Sequence, residues 1–257
     1  MKLPCHINTG VVYSTVHFWV NETIPVINID QFIMLHTLNI LVHVVAGSLA
    51  LILGALTIYF NRRAGTHKKL GTCFLYFMGI VVMTGFVGWL FFRSDPFLLI
   101  LVIISGYEAF AGFRVVILRE RPPQLIDLMV PVLSLGVSVI FLLKLSYTTP
   151  VMSSSVIIST MVGLVIVTGY DIAKYFFIHP IVKTWWLYEH IYKMIGGFSA
   201  ILSAFTATVI TVGKPYTQLG PAVICFSMIF YFIIKRAGEA RRKTRLSAEI
   251  TGKYVPG

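Results

Sequence analysis

Charged residues are scarce in this sequence: Asp, Glu, Lys and Arg make up only 12% of its 257 residues. Soluble domains contain about 25% charged residues. Hydrophobic residues make up 57% of the chain, and a soluble fold of this length has no room to bury so much apolar surface. The composition therefore excludes an ordinary soluble domain and predicts that most of the protein surface contacts the lipid bilayer.

Cysteine is rare as well. Cys5, Cys73 and Cys225 are far apart and form no Cys-x-x-Cys pair, which excludes a disulfide framework and a thiolate metal site. The first residues also lack a basic stretch followed by an apolar run and a small-residue cleavage site, so we expect no cleavable signal peptide.

Long apolar runs are abundant. Seven segments approach the length of about 20 residues that a helix needs to cross the hydrocarbon core. They cover roughly residues 33–60, 72–92, 97–118, 125–146, 155–176, 184–212 and 220–235. The sequence predicts an all-α polytopic membrane bundle with seven transmembrane helices over residues 33–236. Residues 1–32 are expected to be an outer-surface segment, and residues 237–257 a basic cytoplasmic tail.

The net charge of +11 would suggest a nucleic-acid partner in a soluble protein. Here fifteen Lys and Arg residues lie at one set of helix ends and four at the other. Because basic flanks of membrane helices face the cytoplasm, this distribution predicts an external amino terminus and a cytoplasmic carboxyl terminus. It also accounts for the positive charge without nucleic acid.

Several ionisable side chains interrupt the apolar runs. An isolated charge at the bilayer centre costs at least about 2.5 kcal/mol, so we expect these groups to face the bundle interior and to pair. At a rise of about 1.5 Å per residue, Glu108 and Lys193 have the same depth, which predicts that they pair with each other. The interrupting residues are Glu108, Arg114, Asp127, Asp171, Glu189, His190 and Lys193.

Histidines lie on helix faces that also contain small residues. His43 shares its face with Gly47 and Gly54, and His190 begins a similar face that continues through Gly197. Because small residues allow membrane helices to approach closely, the first and sixth helices are predicted to pack together. His36 and Asn39 lie near the outer end of the first helix and are expected to form a structural contact.

Two stretches resemble a known family. They are HVVAGSLALILGAL followed by GTHKKLGTCFLYFMGIVVMTG, and WWLYEHIYKMIGGFSAILSAFTA. The chain is similar, over about residues 36–236, to the family of predicted bacterial multi-pass membrane proteins filed as a domain of unknown function. The matching positions are His43, Gly47, Gly54, His67, Leu70, Gly71, Glu189, His190, Met194 and Gly196. The resemblance implies a helical bundle in the bacterial inner membrane, and it supplies no activity.

The pattern of buried polar residues favours a functional site in the cytoplasmic half of the bundle. Such residues in membrane helices mark ligand sites, transport pathways and proton relays. A structural hydrogen-bond network is the alternative, and enzymatic activity is left open. The candidate residues for binding a small molecule or ion, or for relaying protons, are His43, His67, Glu108, Arg114, Asp127, Asp171, Glu189, His190 and Lys193.

Two cofactor-dependent functions are also considered, and neither is favoured. A b-type haem electron-transfer protein needs two axial histidines on facing helices at matching depth, but His43 and His190 differ by about 13 Å in estimated depth. A zinc-dependent membrane hydrolase would use His67, Asp171 and His190 as metal ligands. No His-Glu-x-x-His spacing supports that set.

Overall fold

Seven long helices make up most of this computed structural model, which describes residues 29–92, 96–148, 154–210, 212–213 and 216–253. Those residues contain no strand, so the all-α prediction is confirmed. The helices are α1 (Ile29–Tyr59), α2 (Ala64–Phe91), α3 (Pro96–Leu118), α4 (Leu125–Thr148), α5 (Ser154–Ala173), α6 (Trp186–Val209) and α7 (Tyr216–Lys253). Residues 1–28 of the predicted outer-surface segment lie outside the described part of the chain.

Among the residues that the structure describes, five stretches are long and apolar enough to cross a membrane. They are Ile29–Tyr59, Ala64–Phe91, Leu99–Leu118, Ile158–Val209 and Leu219–Arg245, and Leu125–Ile140 is a shorter apolar helix. The stretch Ile158–Val209 contains both α5 and α6, and many apolar side chains on these helices are exposed. Since exposing such side chains to water is unfavourable, the five to six apolar helices are those of a helical membrane bundle.

The helix ends differ from the prediction where charged residues lie. Helix α2 begins at Ala64, before the predicted start at residue 72, and α7 continues to Lys253, well past residue 235. Hydropathy reports which residues suit lipid, whereas Ala, Glu, Lys and Arg form helices readily in water as well. Helix α7 therefore continues through the segment that was predicted to be a separate tail.

A helical connection joins α5 to α6. It consists of a π-helical turn at Lys174–Ile178, one α-helical turn at His179–Val182 and a 3-10 turn at Lys183–Trp185. The path of α5 therefore continues beyond the predicted end at residue 176. A π-helical turn inserts an extra residue per turn and changes which side chains face the bundle.

Helix α3 contacts α2, α4, α5 and α6, and its most extensive contact is with α6. Glycines allow this approach: a Cβ atom built on Gly112 would lie 3.3 Å from Lys193 Cβ and 2.8 Å from Met194 Sδ. The predicted contact between the first and sixth helices is confirmed at Gly54, where an added Cβ would lie 2.5 Å from Phe198 Cδ2. Gly47 faces Val81 of α2 instead.

Candidate functional site

One buried ion pair lies where α3, α5 and α6 meet. Lys193 Nζ is 2.6 Å and 2.8 Å from the two carboxylate oxygens of Asp171. The two side chains are only 2% and 10% exposed, and the Tyr107 hydroxyl donates a further hydrogen bond to Asp171. Three helices are thus joined by a single carboxylate, which accepts hydrogen bonds from both Lys193 and Tyr107.

The predicted Glu108–Lys193 pair is wrong, because Lys193 pairs with Asp171. Sequence analysis ended the fifth apolar segment at residue 176. The helical path instead continues through the connection to Trp185. Depths estimated from the predicted helix ends therefore did not identify Asp171 as the partner of Lys193.

A second buried ion pair connects α6 with the π-helical turn. Lys174 Nζ is 2.6 Å from Glu189 Oε2, and the Tyr170 hydroxyl donates to Glu189 Oε1 at 3.0 Å. Glu189 is 2% exposed. Sequence analysis had counted Lys174 among the basic flanks at the cytoplasmic helix ends. The structure corrects this, because Lys174 is the first residue of the π-helical turn and is buried.

A third ion pair ties the end of α3 to the start of α4. Arg114 Nε and Nη2 contact the two carboxylate oxygens of Asp127 at 2.8 Å and 2.9 Å, which is the bidentate geometry of a strong pair. Arg114 Nη2 also donates to Gln124 Oε1, and the Gln124 backbone N–H donates to Asp127. Asp127 lies in the first turn of α4, where the helix dipole stabilises a carboxylate.

All three ion pairs contribute to the wall of one small cavity. Its volume is about 30 Å³, which is enough for one or two water molecules. Apolar side chains of α3 and α4 close the rest of the wall. The polar residues lining it are Tyr107, Arg114, Asp127, Asp171, Lys174 and Lys193. We call these six residues, with Tyr170 and Glu189, the ionic cluster.

Glu108 lies beside the ionic cluster and is not matched by a cation. It is 5% exposed, and none of the four ion pairs found among the described residues includes it. Its carboxyl group packs against Gly196, where an added Cβ would lie 2.7 Å from Glu108 Cδ. The three cations of the ionic cluster are matched by three carboxylates, so Glu108 is an additional buried carboxyl group.

The candidate histidines His67 and His190 form a separate pair. His190 Nδ1 is 3.1 Å from the Gly112 carbonyl oxygen, and His67 Nδ1 is 3.0 Å from the Thr57 carbonyl oxygen. The two ring centroids are 6.4 Å apart. Neither ring is part of the cavity wall. The consecutive residues Glu189 and His190 therefore have different environments: Glu189 belongs to an ion pair, and His190 lies beside His67.

The remaining candidates lie between α1 and α2. His43 Nδ1 is 2.9 Å from Thr84 Oγ1, and Asn39 donates to the Thr84 carbonyl oxygen at 3.2 Å. The His36 ring packs against Phe92 with centroids 4.7 Å apart. These contacts join the amino-terminal half of α1 to the carboxyl-terminal half of α2. The structure thus places His43 in a helix–helix interface, apart from the wall of the cavity.

The proposed metal ligands do not come together as one set. Within the described ranges, no group of three or more His, Cys, Asp or Glu side chains could hold a metal ion. Asp171 is instead bound by Lys193 and Tyr107. For haem, the ring that contacts His190 belongs to His67 and not to His43.

Sequence reasoning missed three members of the ionic cluster: Tyr107, Tyr170 and Lys174. Both tyrosines directly precede an acidic residue in an apolar helix, and a buried tyrosine hydroxyl usually has a hydrogen-bond partner. That pairing is the signal that could have identified them. Lys174 lies three residues after Asp171, a spacing that places both on the same side of a helix.

Comparisons with known proteins add no relative: no family model matches the chain, and no significant match is found among curated proteins or solved structures. A function for this chain therefore has to be argued from the chemistry of its site.

Proposed function

We propose that this protein is a seven-helix integral membrane protein that relays protons through Glu108 and the ionic cluster. The observation that carries the proposal is the imbalance of charge at this site. Three cations match three carboxylates, and Glu108 is a fourth buried carboxyl group that belongs to none of these three ion pairs. Its ionised form would add one negative charge to a buried, neutral set of groups.

This imbalance makes Glu108 the natural position for a transferable proton. A buried carboxylate without a partner is costly, whereas the protonated group is neutral. Lys193 and Asp171 are close enough to act on Glu108 electrostatically, and Tyr107 and Lys193 both hydrogen-bond Asp171. In this relay a proton leaving Glu108 passes to the hydrogen-bonded group, beside which the small cavity has room for one or two water molecules.

The proton test uses purified protein in liposomes that contain a pH-sensitive dye. With a potassium diffusion potential as the driving force, wild-type protein is expected to move protons faster than empty liposomes. Glu108→Gln keeps the size of the side chain and removes the transferable proton, so the flux should fall by roughly 100-fold or more. The matched control Glu239→Gln changes an exposed carboxylate of α7 and should keep the wild-type flux.

Two results would overturn the relay. One is a wild-type flux no greater than that of empty liposomes, and the other is an unchanged flux in Glu108→Gln. Circular dichroism of both variants in the liposomes confirms that the helices are retained. Equal helix content with a selective loss in Glu108→Gln is the result that the proposal requires.

The proposal includes an orientation with the ionic cluster towards the cytoplasm. Its support is the excess of Lys and Arg at one set of helix ends. In a background without the native cysteines, Ser247→Cys should resist a membrane-impermeant thiol reagent in intact cells and react after permeabilisation. Ser14→Cys, in the segment predicted to be external, should react in both conditions. Labelling of Ser247→Cys in intact cells would reverse the orientation.

A further inference from the structure

The His67–His190 pair has features that the proton relay does not use. The two imidazoles come from different helices, His67 from the start of α2 and His190 from α6. Their rings are 6.4 Å apart and nearly perpendicular, with an interplanar angle of 83°. Both side chains are partly buried, and neither lines the cavity of the ionic cluster.

The hydrogen bonds of the two rings fix the position of their protons. A backbone carbonyl oxygen can only accept a hydrogen bond, so each Nδ1 must donate, His67 to Thr57 and His190 to Gly112. In a neutral imidazole the other nitrogen then carries the lone pair. Both Nε2 atoms are therefore free to act as electron-pair donors, and neither has a partner in the part of the chain described.

This arrangement matches the way proteins prepare histidine as a metal ligand. A metal-binding imidazole usually donates its second N–H to a backbone carbonyl or carboxylate, which fixes the ring and its tautomer. His67 and His190 are both prepared in this way, they come from separate helices, and their rings are adjacent. Imidazole nitrogen suits copper, zinc and nickel among the biological metals.

We propose that His67 Nε2 and His190 Nε2 form a binding site for a transition-metal ion that joins the start of α2 to α6. Two protein ligands are fewer than the three of a catalytic zinc site, so water completes the coordination. The site is distinct from the three-residue set with Asp171, which is held by Lys193. It is also independent of proton transfer at Glu108.

The test uses the tag-free full-length protein in detergent, stripped of metal with a chelator and mixed with one equivalent of Cu²⁺. Electron paramagnetic resonance is expected to show hyperfine splitting from two directly bound nitrogens. His67→Ala and His190→Ala should each leave one such nitrogen and weaken Cu²⁺ binding at least 10-fold. The matched control His36→Ala removes an imidazole that packs against Phe92, and it should keep the wild-type spectrum and affinity.

A second measurement needs no substitution and so does not depend on whether the variants fold. Diethyl pyrocarbonate modifies unprotonated imidazole nitrogens, and mass spectrometry identifies the modified residues. One equivalent of Cu²⁺ should protect His67 and His190 and leave His36 modified as before.

The proposal is overturned if wild-type protein binds no Cu²⁺ at one equivalent, if all histidines are protected alike, or if either alanine variant keeps two bound nitrogens. A Soret band in the purified protein that both alanine variants lose would also overturn it. That result would assign the imidazoles to a haem iron instead of a hydrated metal ion.

Discussion

Replacing Asp171 with alanine is expected to lower the free energy of unfolding by about 3–5 kcal/mol, the usual cost of removing one partner of a buried ion pair. The substitution leaves the Lys193 ammonium, which is 2% exposed, without its counter-ion. It also removes the acceptor of the Tyr107 hydroxyl. Equilibrium unfolding of the purified protein in mixed micelles, followed by circular dichroism, measures the loss.

The double variant Asp171→Ala with Lys193→Met distinguishes the ion pair from a general packing effect. Removing both charges eliminates the unpaired ammonium, so the double variant should be more stable than Asp171→Ala alone. The surface pair of Arg236 and Glu239 is 35% and 46% exposed, and Glu239→Ala should cost no more than about 1 kcal/mol. A double variant less stable than Asp171→Ala would show that the pair is not the source of the effect.

Gly196→Ala is expected to destabilise the protein by about 1–3 kcal/mol, the usual cost of overpacking a well-packed interior. The new Cβ would lie 2.7 Å from Glu108 Cδ, so either the carboxyl group or the α3–α6 contact must shift. Gly79 offers a matched control in α2, because an added Cβ there meets no atom within 4 Å. Gly79→Ala should be neutral or stabilising by up to about 1 kcal/mol.

The same variant in a Glu108→Ala background tests whether Glu108 is the obstacle. Without the carboxyl group, Gly196→Ala should cost much less than it does in the wild-type protein. Unfolding in mixed micelles provides the four free energies of this double-mutant cycle. An equal loss in both backgrounds would mean that the cost arises elsewhere, for example in the helix backbone.

The helical fold could be predicted from the sequence because apolar composition and helix length are local properties. The charge content is only 12%, and the apolar runs are long. In lipid, a helix satisfies all backbone hydrogen bonds within one segment, so these features predict a helical membrane bundle. The tendency of Arg114, Asp127, Asp171 and Lys193 to gather at one site was also predictable, since each is costly in lipid unless paired.

The choice of partners within the site could not be predicted in the same way. Whether Lys193 meets Glu108 or Asp171 depends on the relative depth and rotation of three helices. The π-helical turn at Lys174–Ile178 changes the depth and the rotation of the residues that follow Asp171. No simple periodicity in the sequence predicts this turn. Tyr107 and Tyr170 were overlooked for another reason: tyrosine counts as hydrophobic in composition, although its hydroxyl is polar.

Helix α7 is long enough to extend well beyond the bilayer as a rigid rod, or strut. Its 38 residues correspond to a straight length of about 57 Å, whereas the hydrocarbon core of a bilayer is about 30 Å thick. Along a helix continuing straight from the membrane, Arg245 stands about 15 Å beyond Lys235, farther than the screening length of about 8 Å in physiological salt. A flexible basic tail would fold back onto anionic headgroups. In the orientation proposed above, a straight α7 would hold the charges of Arg241, Arg242 and Arg245 in the cytosol, away from the anionic headgroups.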